Sequence, residues 1–150
     1  MVKEIPFKLN TNMKNLFICF LIVMSEAVCS AQTNLSLEIV GVKKEGGKIH
    51  VSLFNSEQSF EERRVYLTLV SNPDSVNINL PLNLPAGEYL FSMYQDNNNN
   101  GELDTNILGI PKELFGFSNY DGKSIPGSFK KHKIEVTEAT KKISVNLYKI

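Results

Sequence analysis

Apolar and polar residues alternate in short runs along most of the chain after residue 34. Leu35, Leu37 and Ile39 are separated by Ser36 and Glu38, the period of a half-buried strand. Ile49-His50-Val51-Ser52-Leu53 repeats the pattern after the turn signal Glu45-Gly46-Gly47, so the two runs are expected to pair as a hairpin. His50 falls on the polar side of its run and is expected in solvent. Residues 55–64 are polar apart from Phe60 and read as a loop or one helical turn, and Val65 to Val70 is rich in strand formers. Asn72-Pro73-Asp74 breaks the chain. Val76, Ile78, Leu80 and Leu82 then alternate with Asn77, Asn79 and Pro81, and Pro81, lacking a donor, assigns that strand to a sheet edge. Leu84-Pro85-Ala86-Gly87 makes a tight turn into a strand with Tyr89, Phe91 and Met93 on one face. Residues 129–136 and 142–147 supply the last two strands. About seven strands, frequent turns and no long helix predict an all-β fold. The expected architecture is a single antiparallel β-sandwich, Ig-like or prealbumin-like, each sheet having one wet face.

The strand from Tyr89 delivers a different kind of sequence, Asp96-Asn97-Asn98-Asn99-Asn100-Gly101-Glu102-Leu103-Asp104. Asp96, Asn98 and Asn100 occupy positions one, three and five of an oxygen-rich cation loop, with Gly101 at the sharp turn of position six. Glu102 would offer its carbonyl at position seven, Leu103 would point into the core, and Asp104 falls at position nine. Position twelve is Ile107 where an EF-hand has a bidentate Glu, so a helix–loop–helix form is not expected. Glu113 or Asn106 is the nearest replacement ligand. Two carboxylates within the loop predict weak Ca²⁺ binding, in the range of about 10⁻⁴–10⁻³ M typical of extracellular modules. Mg²⁺ fits less well, because it demands stricter octahedral geometry. The competing reading is a plain Asn-rich turn.

A long aperiodic segment follows, residues 109–119, with Phe115 and Phe117 around Gly116. Loops of this length are often functional. Phe115, Phe117 and Tyr120 read either as a platform for a ligand or as rings that plug the open end of the sandwich.

Charge narrows the partner class. Sixteen basic residues balance sixteen acidic ones, so the basic footprint of a nucleic-acid binder is absent. The N-terminus reads as a signal peptide over residues 1–31, with Lys14 before the apolar run from Leu16 to Met24 and cleavage near Ala31-Gln32. Met13 is an alternative start. The apolar run is short for a membrane span, which needs about 20 residues. Acylation of Cys29 as a lipoprotein is a further alternative. Both cysteines, Cys19 and Cys29, lie in this leader, so a domain of residues 32–150 would fold without disulfides, in the periplasm or outside the cell.

Three motifs in order carry a family resemblance. They are Leu84-Pro85-Ala86-Gly87-Glu88-Tyr89, then Gln95-Asp96-x-Asn98-x-Asn100-Gly101-x-Leu103-Asp104, then Gly109-Ile110-Pro111-Lys112-Glu113-x-x-Gly116-Phe117-Ser118-Asn119. Together they resemble the bacterial domain-of-unknown-function family 2141 over residues 34–148. The family pattern has His where this chain has Gln95. The resemblance implies small exported β-rich proteins of envelope-bearing bacteria, with no activity attached. The first motif is also similar to the turn that enters a core strand in prealbumin-like and collagen-adhesin B-type sandwiches.

Catalysis needs a nucleophile, a base or an open metal site within mutual reach. Beyond the leader there is no Cys, and the histidines are His50 and His132, the latter between two lysines and expected at the surface. Ser118 has no evident base, and Asp96, Asp104 and Glu113 are better used by a cation than as an acid–base pair. The expectation is therefore a binding or interaction module at the cell envelope, meeting a protein or a glycan, and not an enzyme. A purely structural envelope protein is the alternative, with a hydrolase third.

Overall fold

The computed structural model describes residues 32–123 and 126–150. The expected signal peptide, residues 1–31, lies outside the described residues. In chain order the elements are β1 (Gln32–Val40), β2 (Lys48–Phe54), α1 (Glu57–Glu61), β3 (Leu67–Ser71), β4 (Asn77–Pro85), β5 (Gly87–Asp96), β6 (Leu114–Phe117), α2 (Phe129–His132), β7 (Ile134–Val136) and β8 (Lys142–Asn146). The strands form two sheets. One has the order β4-β1-β8, and the other has the order β3-β2-β5-β6, with β7 beside the start of β5.

The fold is an all-β sandwich, and period-two alternation builds its core. Leu35, Leu37 and Ile39 of β1, Ile78 and Leu82 of β4 and Val145 of β8 meet Val51 and Leu53 of β2 and Phe91 and Met93 of β5 in one buried cluster. Burying each large side chain fully contributes about 1.5–3 kcal/mol before conformational entropy is subtracted. A smaller cluster of Phe54, Leu90 and Phe129, backed by Phe60 and Phe117, lies on the opposite face of β5. The two short helices supply its cover. Ser56 caps α1 through a capping box with Ser59.

Ala86 alone separates β4 from β5 and so carries the chain from one sheet to the other. The Tyr89 hydroxyl fixes this corner by donating to the Pro85 carbonyl at 3.0 Å. Pro81 lies on β4, an edge strand as its missing donor requires.

Four expectations are corrected. Residues 109–119 are not one long loop, because Leu114–Phe117 forms β6 along β5, its period hidden by Gly116 between two aromatic residues. β1 and β2 do not form a hairpin, because β1 pairs with β4 and β8 while β2 pairs with β3 and β5. Their faces meet across the core instead, since alternation fixes which side is apolar but not which strand lies alongside. The sandwich is not wholly antiparallel, because β8 runs parallel to β1. Residues 129–136 are not one strand. Phe129 and His132 are both buried on α2, three apart on one helical face, and the strand begins only at Ile134.

Candidate functional site

β5 ends with two polar residues that point to opposite faces, Gln95 and Asp96, and both are buried. Asp96 clasps the loop that follows. Its Oδ1 accepts from the Asn100 amide at 3.1 Å and its Oδ2 from the Gly101 amide at 2.7 Å. The turn that permits this places Asn99 at φ 56° and Gly101 at φ 82°, the left-handed region that Asn and Gly tolerate best. Asn98 Oδ1 accepts from the Asn100 amide, and Asn100 Oδ1 from the Glu102 amide. The side-chain amides of Asn98 and Asn100 donate to Asp104, at 2.8 and 3.3 Å. Asp96, Asn98, Asn100 and Asp104 are thus gathered in one loop, and Glu102 joins it through its backbone while its side chain is exposed.

Glu113 is buried and has another use. Its Oε1 accepts from the Asn97 amide at 2.7 Å and its Oε2 from the Asp104 amide at 3.1 Å, so it staples the loop to the start of β6. Between them runs a strap, residues 105–112. A Thr105–Pro111 bridge and the Lys112 amide on the Asp104 carbonyl close its base. Asn106 Oδ1 accepts from the amides of Leu108 and Ile110 and holds the tip, where Ile107 and Leu108 stand out in solvent. Leu103, expected in the core, is exposed and lies beside Ile110 and Pro111 of the strap.

The neighbourhood is more structured than alternation suggested. His50 stacks on Tyr94 with ring centroids 5.0 Å apart, and its Nε2 lies 3.5 Å from Asp96 Oδ2, so it is not simply solvated. The Tyr94 hydroxyl donates to the Gly101 carbonyl at 2.8 Å. Burial raises the Tyr94 phenol above its ordinary value of 10.0, and the charges of Asp96, Glu113 and Glu102 raise it further. On the inner face Gln95 accepts from the Lys43 amide at 2.9 Å and donates to the Lys43 and Gly47 carbonyls at 2.6 and 3.2 Å. One signal could have found this role. Gln95 continues the inward series Phe91 and Met93, and a buried amide must find partners.

Phe115 and Tyr120 are buried and Phe117 is half-buried, with centroid separations of 5.7–6.4 Å among the three rings. Phe117 and Tyr120 pack against His132, which is fully buried and not at the surface. The His132 Nδ1 lies 3.1 Å from the Ser118 carbonyl, and its Nε2 accepts from the Gly127 amide at 3.0 Å. Those contacts fix the neutral tautomer with the proton on Nδ1. Ser118 Oγ donates to the His132 carbonyl and accepts from the Phe91 amide, bridging the gap that β6 and β7 leave along β5. The carboxylates of Asp96 and Glu113 each hold two backbone amides, so as placed they are structural staples.

Among the described residues no three His, Cys, Asp or Glu side chains converge as a metal-holding group. The loop's oxygens come from two carboxylates and two amides, a donor set for a hard cation and not for a thiophilic one. No described helix is long and apolar enough to cross a membrane. Neither a curated protein nor a solved structure matches the chain. The family model described as "Uncharacterized protein conserved in bacteria (DUF2141)" matches residues 37–144, and the chain belongs to that family.

Proposed function

We propose that this chain is an exported sandwich protein whose Asp96–Asp104 loop binds Ca²⁺ weakly, stiffening the strap as a surface for an envelope or extracellular protein or glycan. One observation carries the reading. Side chains at loop positions three, five and nine meet, and Asp96 at position one holds the backbone of the same loop, at the offsets a hard cation needs. The amide protons of Asn98 and Asn100 lie against Asp104, where a cation's charge would act. Rotating each amide turns its oxygen inward, and the Glu102 carbonyl and water complete the shell. Losing those amide bonds offsets part of the gain, in keeping with dissociation constants of about 10⁻⁴–10⁻³ M. Glu113 keeps its two amides and passes the loop's order to β6. Export rests on the leader, residues 1–31.

The test is a set of melting curves of the protein in EDTA and in rising Ca²⁺, with Mg²⁺ as control. A ligand that binds only the folded state stabilises it by RT ln(1 + [L]/Kd). The expected result is a saturable, Ca²⁺-selective rise that Asp104→Ala abolishes, since that change leaves the Asp96 clasp in place. Superimposable curves in EDTA and millimolar Ca²⁺ would remove the cation from the reading. The burial of Phe115 and Tyr120 favours a second reading, an envelope protein in which loop and rings serve stability alone. It predicts that Phe117→Ala lowers stability and leaves capture of envelope components unchanged.

A further inference from the structure

Beside the strap lies an apolar cavity of about 450 Å³ that the function above does not use. The rings of Phe115 and Phe117 line it, with Leu103, Ile110, Pro111 and Ile150 around them. The volume falls within the range of about 300–1,000 Å³ that holds small molecules. The lining is largely apolar, so water there finds few polar partners and is readily displaced by an apolar ligand. A sugar is a poor occupant, since its hydroxyls would go unpaired. Among the described residues Lys123 is the one charged side chain in the lining, and its ammonium pairs with no carboxylate. The wall at Ile110 continues along the strap to Leu108 and Ile107, both exposed, so the apolar surface extends past the cavity itself.

We propose that this cavity binds an acyl chain ending in a carboxylate, the chain lying against Phe115, Phe117 and Ile110 and the anion meeting Lys123 at the rim. The proposal goes beyond the cation reading and does not require it, because the cavity shares only Leu103 with the cation loop.

Titration calorimetry of the full chain with decanoate, run in EDTA so that Ca²⁺ plays no part, tests it, with decan-1-ol as the uncharged control. Saturable binding of one decanoate per chain is expected. Ile110→Trp, which fills the cavity, should abolish binding of both amphiphiles. Lys123→Met should weaken decanoate about threefold to fivefold, the effect of an exposed ion pair, and leave decanol unchanged. Methyl NMR of the wild-type chain gives a reading free of any variant's folding. Decanoate should shift Leu103, Ile110 and Ile150 and spare Leu37 and Val51. No saturable binding, full binding by a folded Ile110→Trp, or shifts elsewhere than at those methyls would overturn the site. Equal weakening of decanoate and decanol by Lys123→Met would overturn its choice of an anion.

Discussion

Gln95 and Asp96 are consecutive residues at the end of β5, and each holds a loop. Gln95 points inward and fastens the β1–β2 connection through Lys43 and Gly47. Asp96 points outward and fastens its own downstream loop through Asn100 and Gly101. Both side chains are buried, so both must be satisfied. The difference is chemical. An amide both donates and accepts, so Gln95 closes its loop as a neutral group with nothing left over. A carboxylate only accepts, so Asp96 closes its loop and keeps a negative charge, with the Asp104 charge in the same loop and that of Glu113 stapled beside it. The inner loop is complete as a fold element. The outer one retains charge, on which the proposed Ca²⁺ site depends.

Gly47 is where the two loops touch, so its substitution should break both. A Cβ there would overlap the Asp96 carbonyl oxygen, and the residue sits at φ 76°. Gly47→Ala is expected to cost about 3–4 kcal/mol in urea unfolding, left-handed strain adding to overpacking. Gln95→Leu keeps the volume and orphans the Lys43 amide and two carbonyls. It should cost about 2–3 kcal/mol and leave the Ca²⁺-dependent rise in melting temperature intact. Asp96→Asn reverses that outcome. Its amide would set a donor against one of two backbone donors, costing about 1–2 kcal/mol and removing the Ca²⁺ response. A response surviving in Asp96→Asn, or lost in Gln95→Leu, would dissolve the contrast between the two loops.

The smallest effect is spectroscopic. The folded pKa of Tyr94 lies above the unfolded value near 10.0, so its neutral phenol contributes stability that is fully present below pH 10 and lost as pH rises through the folded value. Ca²⁺ would offset the part due to Asp96, Glu113 and Glu102 but not the larger part due to burial. Alkaline difference absorbance should therefore show tyrosinate forming at lower pH with Ca²⁺ than with EDTA, a difference absent in Tyr94→Phe. Coincident titrations would mean that no cation reaches those carboxylates.

The sequence by itself determined most of the strands and their inward faces, though not β6 or the short helix before β7, together with the edge position of Pro81 and the turn at Gly101. These follow from alternation and from what Pro and Gly permit within a few residues. The offsets of Asp96, Asn98, Asn100 and Asp104 were legible for the same reason. Only the tertiary structure decided the rest, because it depends on groups far apart in the chain. The parallel pairing of β1 with β8, the separation of β1 from β2, and the hold of Gln95 on Lys43 join distant residues that no local period links. His132 is the sharpest case. Three flanking lysines, Lys130, Lys131 and Lys133, mark its segment as surface, yet one helical turn rotates it inward beside Phe129. There Ser118 and Gly127 satisfy both ring nitrogens, and burial follows from those partners rather than from the residue's neighbours in sequence.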